Sequence, residues 1–177
     1  MNFPYVSYKT HFENFGCSFY VLQHELPPSL NTEEKELLQE GGLPDEGLPF
    51  FYFDLHLNHL RDIFIEDCLL PLGTCLQPDS NYYIYLGKDH KIYTIDEHGR
   101  KQFVNSNLRA LMSSLLCYSL WLNDIEDIVE QLGSYEVSNE DIFELYYELR
   151  SIDPAAVKGE NLWSDLMITN LLLQIQD

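Results

Sequence analysis

YYIYLGKDHKIYTIDEHGRKQFVNSNLRALMSSLLCYSLW, running from Tyr82 to Trp121, is the stretch whose reading decides the fold. Tyr82, Ile84 and Leu86 alternate with Tyr83 and Tyr85, the period of two of a pleated strand with one face turned to a core. The polar Lys88-Asp89-His90 after Gly87 predicts a turn. Ile92-Tyr93-Thr94-Ile95, β-branched and aromatic, predicts a second strand. Another turn falls at Glu97-His98-Gly99-Arg100, where Gly99 is free to take a positive φ. Phe103 and Val104 form a last short strand. Asn105-Ser106-Asn107 then offers side-chain oxygens to the free N–H groups of a helix start. Leu108, Leu111, Met112, Leu115 and Leu122 share one helical face, with Leu116 and Leu120 beside it. A meander feeding a helix that folds back onto it is one cooperative unit, and the class is α+β.

Working outward, Met1 to Tyr20 is rich in aromatic residues, with a short helix expected between Ser7 and Phe15. Leu26-Pro27-Pro28 interrupts regular structure. Leu30 to Glu40 reads as a short helix capped by Asn31 or Thr32, with Glu33 and Glu34 at its positive dipole end and Gly41 ending it. The link Gly42 to Pro49 leads into a buried strand at Phe50-Phe51-Tyr52-Phe53. Leu55 to Ile65 alternates less cleanly, as an extended loop or short helix. Leu69 to Leu76 is a strand interrupted at Pro71 and Gly73, expected at an edge or a bulge. Past the central helix, Trp121 to Leu132 continues or restarts it and Gly133 closes it. Ser138 or Asn139 caps the next helix, whose apolar positions are Ile142, Phe143, Leu145, Tyr146 and Leu149. Asp153-Pro154 ends it or starts a short one. Leu162 to Ile175 forms the last helix, with Ile168, Leu171, Leu172 and Ile175 as its docking stripe and Trp163 and Met167 extending the buried surface.

A chain of 177 residues with 45% hydrophobic and 14% aromatic content is one folded domain, expected to span 1–177. Its formal charge of −19, from 29 acidic against 10 basic residues, disfavours direct binding to nucleic acid or to an anionic membrane. It suits a basic partner or a merely well-solvated surface. Cys17, Cys68, Cys75 and Cys117 contain no CxxC pair, no basic-then-apolar leader opens the chain, and no apolar run approaches spanning length. A reducing cytoplasm and no disulfides are expected.

Chemistry-bearing patterns are weak. His56 and His59 lack the i, i+4 spacing and general-base Glu of a metalloprotease helix. His90 and His98 lie at turns, where solvent exposure accounts for them. Cys117 sits among leucines with no neighbouring cation to lower its pKa. Asp54 with Asp62, or Asp96 with Glu97, are pairs that arise by chance in so acidic a chain. There is no phosphate-cradling Gly loop, Gly-x-Ser-x-Gly elbow or zinc-finger spacing. No enzyme, cofactor or metal site is expected. Tyr82, Tyr83, Tyr85 and Tyr93 either pack across strands or show one face of the sheet to a partner.

The succession of short motifs resembles the SUKH superfamily, and is most similar to its fourth immunity-protein branch. It runs from Leu37-Leu38, Gly42-Leu43-Pro44 and Leu48-Pro49-Phe50-Phe51 through Leu72-Gly73, Tyr85-Leu86-Gly87 and Tyr93-Thr94-Ile95-Asp96. Gly99, Phe103-Val104-Asn105-Ser106-Asn107-Leu108, Asp153-Pro154-Ala155 and Trp163 continue it, over roughly Leu26 to Leu173. The resemblance implies an α+β protein with a central, mainly antiparallel sheet flanked by helices. It also implies a bacterial immunity protein that binds a cognate polymorphic toxin, often a nuclease or nucleic-acid deaminase, and occludes its basic active site with an acidic surface. Under this reading Asp89, Asp96 and Glu97 on the hairpin turns contribute charge, with Tyr83 and Tyr85 as anchors. The alternative is a non-catalytic regulatory or scaffold protein of the same fold that binds an endogenous or host partner.

Overall fold

The computed structural model describes residues 5–14, 16–21, 26–47, 51–53, 67–77, 80–132, 137–159 and 161–173. In chain order the elements are α1 (Tyr5–Asn14), β1 (Phe19–Tyr20), α2 (Thr32–Glu36) with a π-helical turn (Leu37–Gly41), β2 (Leu43–Pro44), β3 (Glu46–Gly47) and β4 (Phe51–Phe53). There follow β5 (Cys68–Gln77), β6 (Ser80–Gly87), β7 (Ile92–Asp96), β8 (Lys101–Asn105), α3 (Leu108–Leu132), α4 (Asn139–Ile152) and α5 (Leu162–Leu173). Strands β3 to β8 form a six-stranded sheet in sequence order, with every neighbour antiparallel. β1 and β2 make a separate antiparallel pair. The architecture is α+β, a meander sheet flanked by helices, as the central stretch predicts. The segment 55–65, Asp54, Asp62, His56, His59 and Gly133 lie outside the described residues.

One sheet face packs against the helices. Phe51, Phe53, Cys75, Ile84, Leu86, Ile92 and Thr94 are buried on it, and the Phe51 ring lies 6.1 Å from that of Trp163 in α5. Leu108, Leu111, Met112 and Leu115 of α3 are buried as a continuous stripe, each such side chain contributing roughly 1.5–3 kcal/mol. Leu120 departs from the expected face and is 46% exposed, since it falls on the far side of the helix from Leu115 and Tyr118. β5 is an interior strand between β4 and β6, not an edge. Its Pro71 and Gly73 mark a bulge, so proline's missing donor falls where the ladder is already irregular. A Cβ on Gly73 would collide with the Tyr52 carbonyl oxygen, which makes glycine a condition of the β4–β5 pairing. Gly42, with φ 80°, ends the π-helical turn in place of the expected Gly41.

Three buried acidic side chains fasten the layers. Asp153, just after α4, accepts hydrogen bonds from the Ser106 N–H (2.6 Å) and hydroxyl (2.9 Å), the Asn105 amide (3.3 Å) and the Ala155 N–H (3.2 Å). Asn105 also donates to the Ser114 hydroxyl at 3.2 Å and accepts from the Trp163 indole N–H at 3.1 Å. The α3 start is capped by Asn107, whose side chain accepts from Ala110 N–H at 2.8 Å. Asp96 closes the β7–β8 turn by accepting from the backbone N–H groups of His98 (2.9 Å) and Arg100 (2.8 Å) and from the Arg100 guanidinium. Burial pushes its carboxyl up, but these bonds and the Arg100 charge outweigh that and hold it below the ordinary carboxylate range. Glu34 completes a capping box with Asn31 and takes the Nδ1–H of His90 at 2.9 Å. His90 is therefore half-buried and partnered, contrary to the solvent-exposed role expected of it, and it holds a left-handed φ of 63°.

Asp153→Ala is expected to cost about 3 kcal/mol in urea unfolding, because it strands several buried donors at once. Thr94→Val should raise Tm slightly, since the Thr94 hydroxyl is buried without a hydrogen-bond partner among the described residues. A depressed folded pKa makes the Asp96 contribution fully present above its unfolded value of about 3.9 and lost as pH falls through the lower folded value. The stability gap between the protein and its Asp96→Asn variant should therefore be widest near neutrality and close below about pH 4, as thermal melts across that range will show.

Candidate partner-binding face

The sheet face away from α3 and α5 carries Tyr83, Tyr85, Tyr93, Ile95 and Phe103, placed together by the register Tyr83↔Ile95, Tyr85↔Tyr93 and Tyr93↔Phe103. Tyr83, Tyr93, Ile95 and Phe103 are half-buried, while Tyr85 is fully buried. The Tyr85 and Tyr93 rings lie 5.8 Å apart, and Phe103 meets Tyr93 edge-on at 5.9 Å. Lys101, at the start of β8, reaches back so that its ammonium sits 3.5 Å from the Tyr93 ring centroid, a cation–π contact.

A polar chain crosses the same face. The Tyr85 hydroxyl donates to Asp67 at 3.1 Å, and Asp67 also pairs with Lys101. The Tyr93 hydroxyl donates to Asp89 at 2.8 Å, and Lys91 pairs with Asp89 at 3.1 Å. The hydrogen bond from Lys101 is the largest influence on Asp67 and holds its carboxyl below the ordinary range despite partial burial. Burial pushes the Asp89 carboxyl up, and the bonds from Tyr93 and Lys91 more than offset it. Burial and then the Asp89 bond push the Tyr93 phenol up to about 12, and burial with the Asp67 charge raises Tyr85 as well. Both tyrosines are neutral donors at physiological pH.

Of the five residues singled out in the sequence, Tyr85 and Asp89 are thus joined through Asp67, Lys101 and Tyr93. Asp89 and Glu97 are exposed and Tyr83 half-exposed. The Asp96 side chain is wholly buried and points to the helix side, where Asp96 faces Tyr82 across the ladder. The two turns lie at opposite ends of the five-residue β7, about 17 Å apart at strand rise, so Asp89 and Glu97 do not converge. Asp67 and Lys101 escape sequence reasoning because their contacts cross the sheet between residues 34 positions apart. Tyr93, between them, was legible as one of the tyrosines that pack across strands or face a partner.

The cysteines offer no activated nucleophile. Burial pushes the Cys68 thiol up to about 11 and those of Cys75 and Cys117 up to about 12, so all three stay protonated near neutrality. No helix among the described residues is long and apolar enough to cross a membrane.

No curated protein and no solved structure matches the chain. The family model described as SUKH-4 immunity protein matches residues 19–169, from β1 into α5. Its span takes in the meander, the Asn105–Asp153–Trp163 junction and the tyrosine-bearing face, and the chain belongs to the SUKH-4 immunity protein family.

Proposed function

We propose that this protein protects a bacterial cell by binding a cognate toxin domain that acts on nucleic acid, a nuclease or a nucleic-acid deaminase, and covering its active site. The observation that carries the reading is an excess of 19 negative charges on a chain of an immunity-protein family. A cleft that holds nucleic acid is basic, so a strongly acidic binder is drawn to it and competes with its substrate by charge and by volume. The protein acts by stoichiometric binding in the cytoplasm and turns nothing over. Asp89, Glu97 and Tyr83 supply contacts at and between the hairpin turns, while Tyr85 and Asp96 hold the strands and turn that present them.

Expressing the toxin domain in bacteria with and without this protein tests the reading. Growth is restored only in cells that also yield a complex of the two chains, and failure of rescue by well-expressed protein rejects it. Reversing both exposed carboxylates, Asp89→Lys with Glu97→Lys, is expected to slow association by about tenfold at low salt, with the difference shrinking as salt rises. An unchanged association rate would remove these turns from the encounter surface.

A further inference from the structure

The apolar pattern of α4 places Ile142, Leu145 and Leu149 in the core, and all three are buried. Phe143, read from the sequence as a further core position, is instead 60% exposed, and Tyr147 one turn later is 63% exposed. Phe143 sits 100° around the helix from Ile142, which takes it out of the buried stripe, and the i, i+4 spacing stacks it beside Tyr147 on the outer face. These are the two most exposed of the large hydrophobic side chains among the described residues. Glu140, Glu144 and Glu148 line one flank of this pair, all exposed, and among the described residues none of the three is paired with a cation. Arg150, in the last turn, is the only basic residue of the helix.

The platform beneath this face is rigid. Ser138 and Asp141 form a capping box at the α4 start, and Asp153 ties its end to the β8–α3 junction. The Trp121 indole of α3 donates to the Asp141 carbonyl at 3.1 Å, and the Tyr147 ring is held edge-on by Tyr146 at 5.5 Å. Aromatic anchors on a fixed helix lose little entropy on binding, which suits them to the centre of an interface.

We infer that the Phe143–Tyr147 face of α4 is an anchoring surface for the toxin domain, whose complementary patch is an apolar hollow rimmed by Lys and Arg. The inference rests on the toxin-binding reading and gives it a surface separate from the hairpin turns. Charge selects the occupant. Three unpaired glutamates favour a cationic rim, and a second copy of this chain would set the same carboxylates, and 19 negative charges, against each other.

The test measures binding of the catalytically silenced toxin domain to the full chain, to Phe143→Ser/Tyr147→Ser, and to Glu140→Lys/Glu144→Lys/Glu148→Lys. Because the substituted side chains are exposed, each variant should melt within about 3 °C of the parent. The aromatic variant is expected to bind at least tenfold more weakly, through faster dissociation, and to lose growth rescue. The charge variant should associate more slowly, in a salt-dependent way. Parent-like binding and rescue by the aromatic variant overturn the inference and leave the toxin reading intact. Absence of binding and rescue by the unaltered chain overturns the toxin reading and this inference with it. A parent dimer that the aromatic variant converts to monomer reassigns the face to a second copy and overturns the inference.

Discussion

The hydrogen-bonded junction at Asp153 is the constraint on which the other layers depend. One buried carboxylate takes donors from the β8–α3 connection and from the turn after α4, and Asn105 beside it reaches α3 and the indole of α5. A carboxylate is the only side chain with enough acceptor capacity for so many donors in so small a volume. It also lets the chain leave β8 and start α3 without orphaning backbone N–H groups under three helices. The helices that cover the sheet's apolar face are thereby fixed to its last strand rather than only pressed against it.

Acidic residues in this protein have two distinct uses. Asp153, Asp96, Glu34 and Asp45 are structural acceptors: Asp45 takes the N–H groups of Ser18 and Glu46, both at 2.9 Å, and so joins the small β1–β2 pair to β3. Others, such as Glu97, Glu140, Glu144 and Glu148, are exposed and contribute to the field that a partner meets. The tyrosine-bearing sheet face lies between these extremes. Asp67 and Asp89 partly neutralise Lys101 and Lys91 there and orient two tyrosine hydroxyls, so that face is more nearly balanced in charge than the outer face of α4.

Much of the architecture was legible in local pattern. Alternation from Tyr82 to Leu86, the Gly99 turn, the Asn-rich helix start and the Leu stripe of α3 each report a preference settled within a few residues. Departures occurred where a distant residue decided. Pro71 and Gly73 left β5 open between an edge and a bulge, and the pairing with β4 and β6 on either side decided for the bulge, which removes the ladder position that proline would spoil. His90 looked solvent-bound because it lies in a turn, and Glu34 from 56 positions earlier fills its hydrogen bond. Phe143 looked like core because hydrophobicity alone does not say how wide the buried stripe of α4 is; its neighbours α3 and α5 set that width.

The sequence by itself determined the α+β class, the order of the meander and central helix, the acidic balance and the family resemblance, because each is carried by periodicity, turn residues or short motifs in fixed succession. Only the tertiary structure decided which of those residues can meet a partner. It buried Tyr85 and Asp96, set Asp89 and Glu97 at opposite ends of one strand, and left Phe143 and Tyr147 outside the core. Exposure depends on which elements pack together, and that is settled by contacts between residues far apart in the chain, which no local pattern contains.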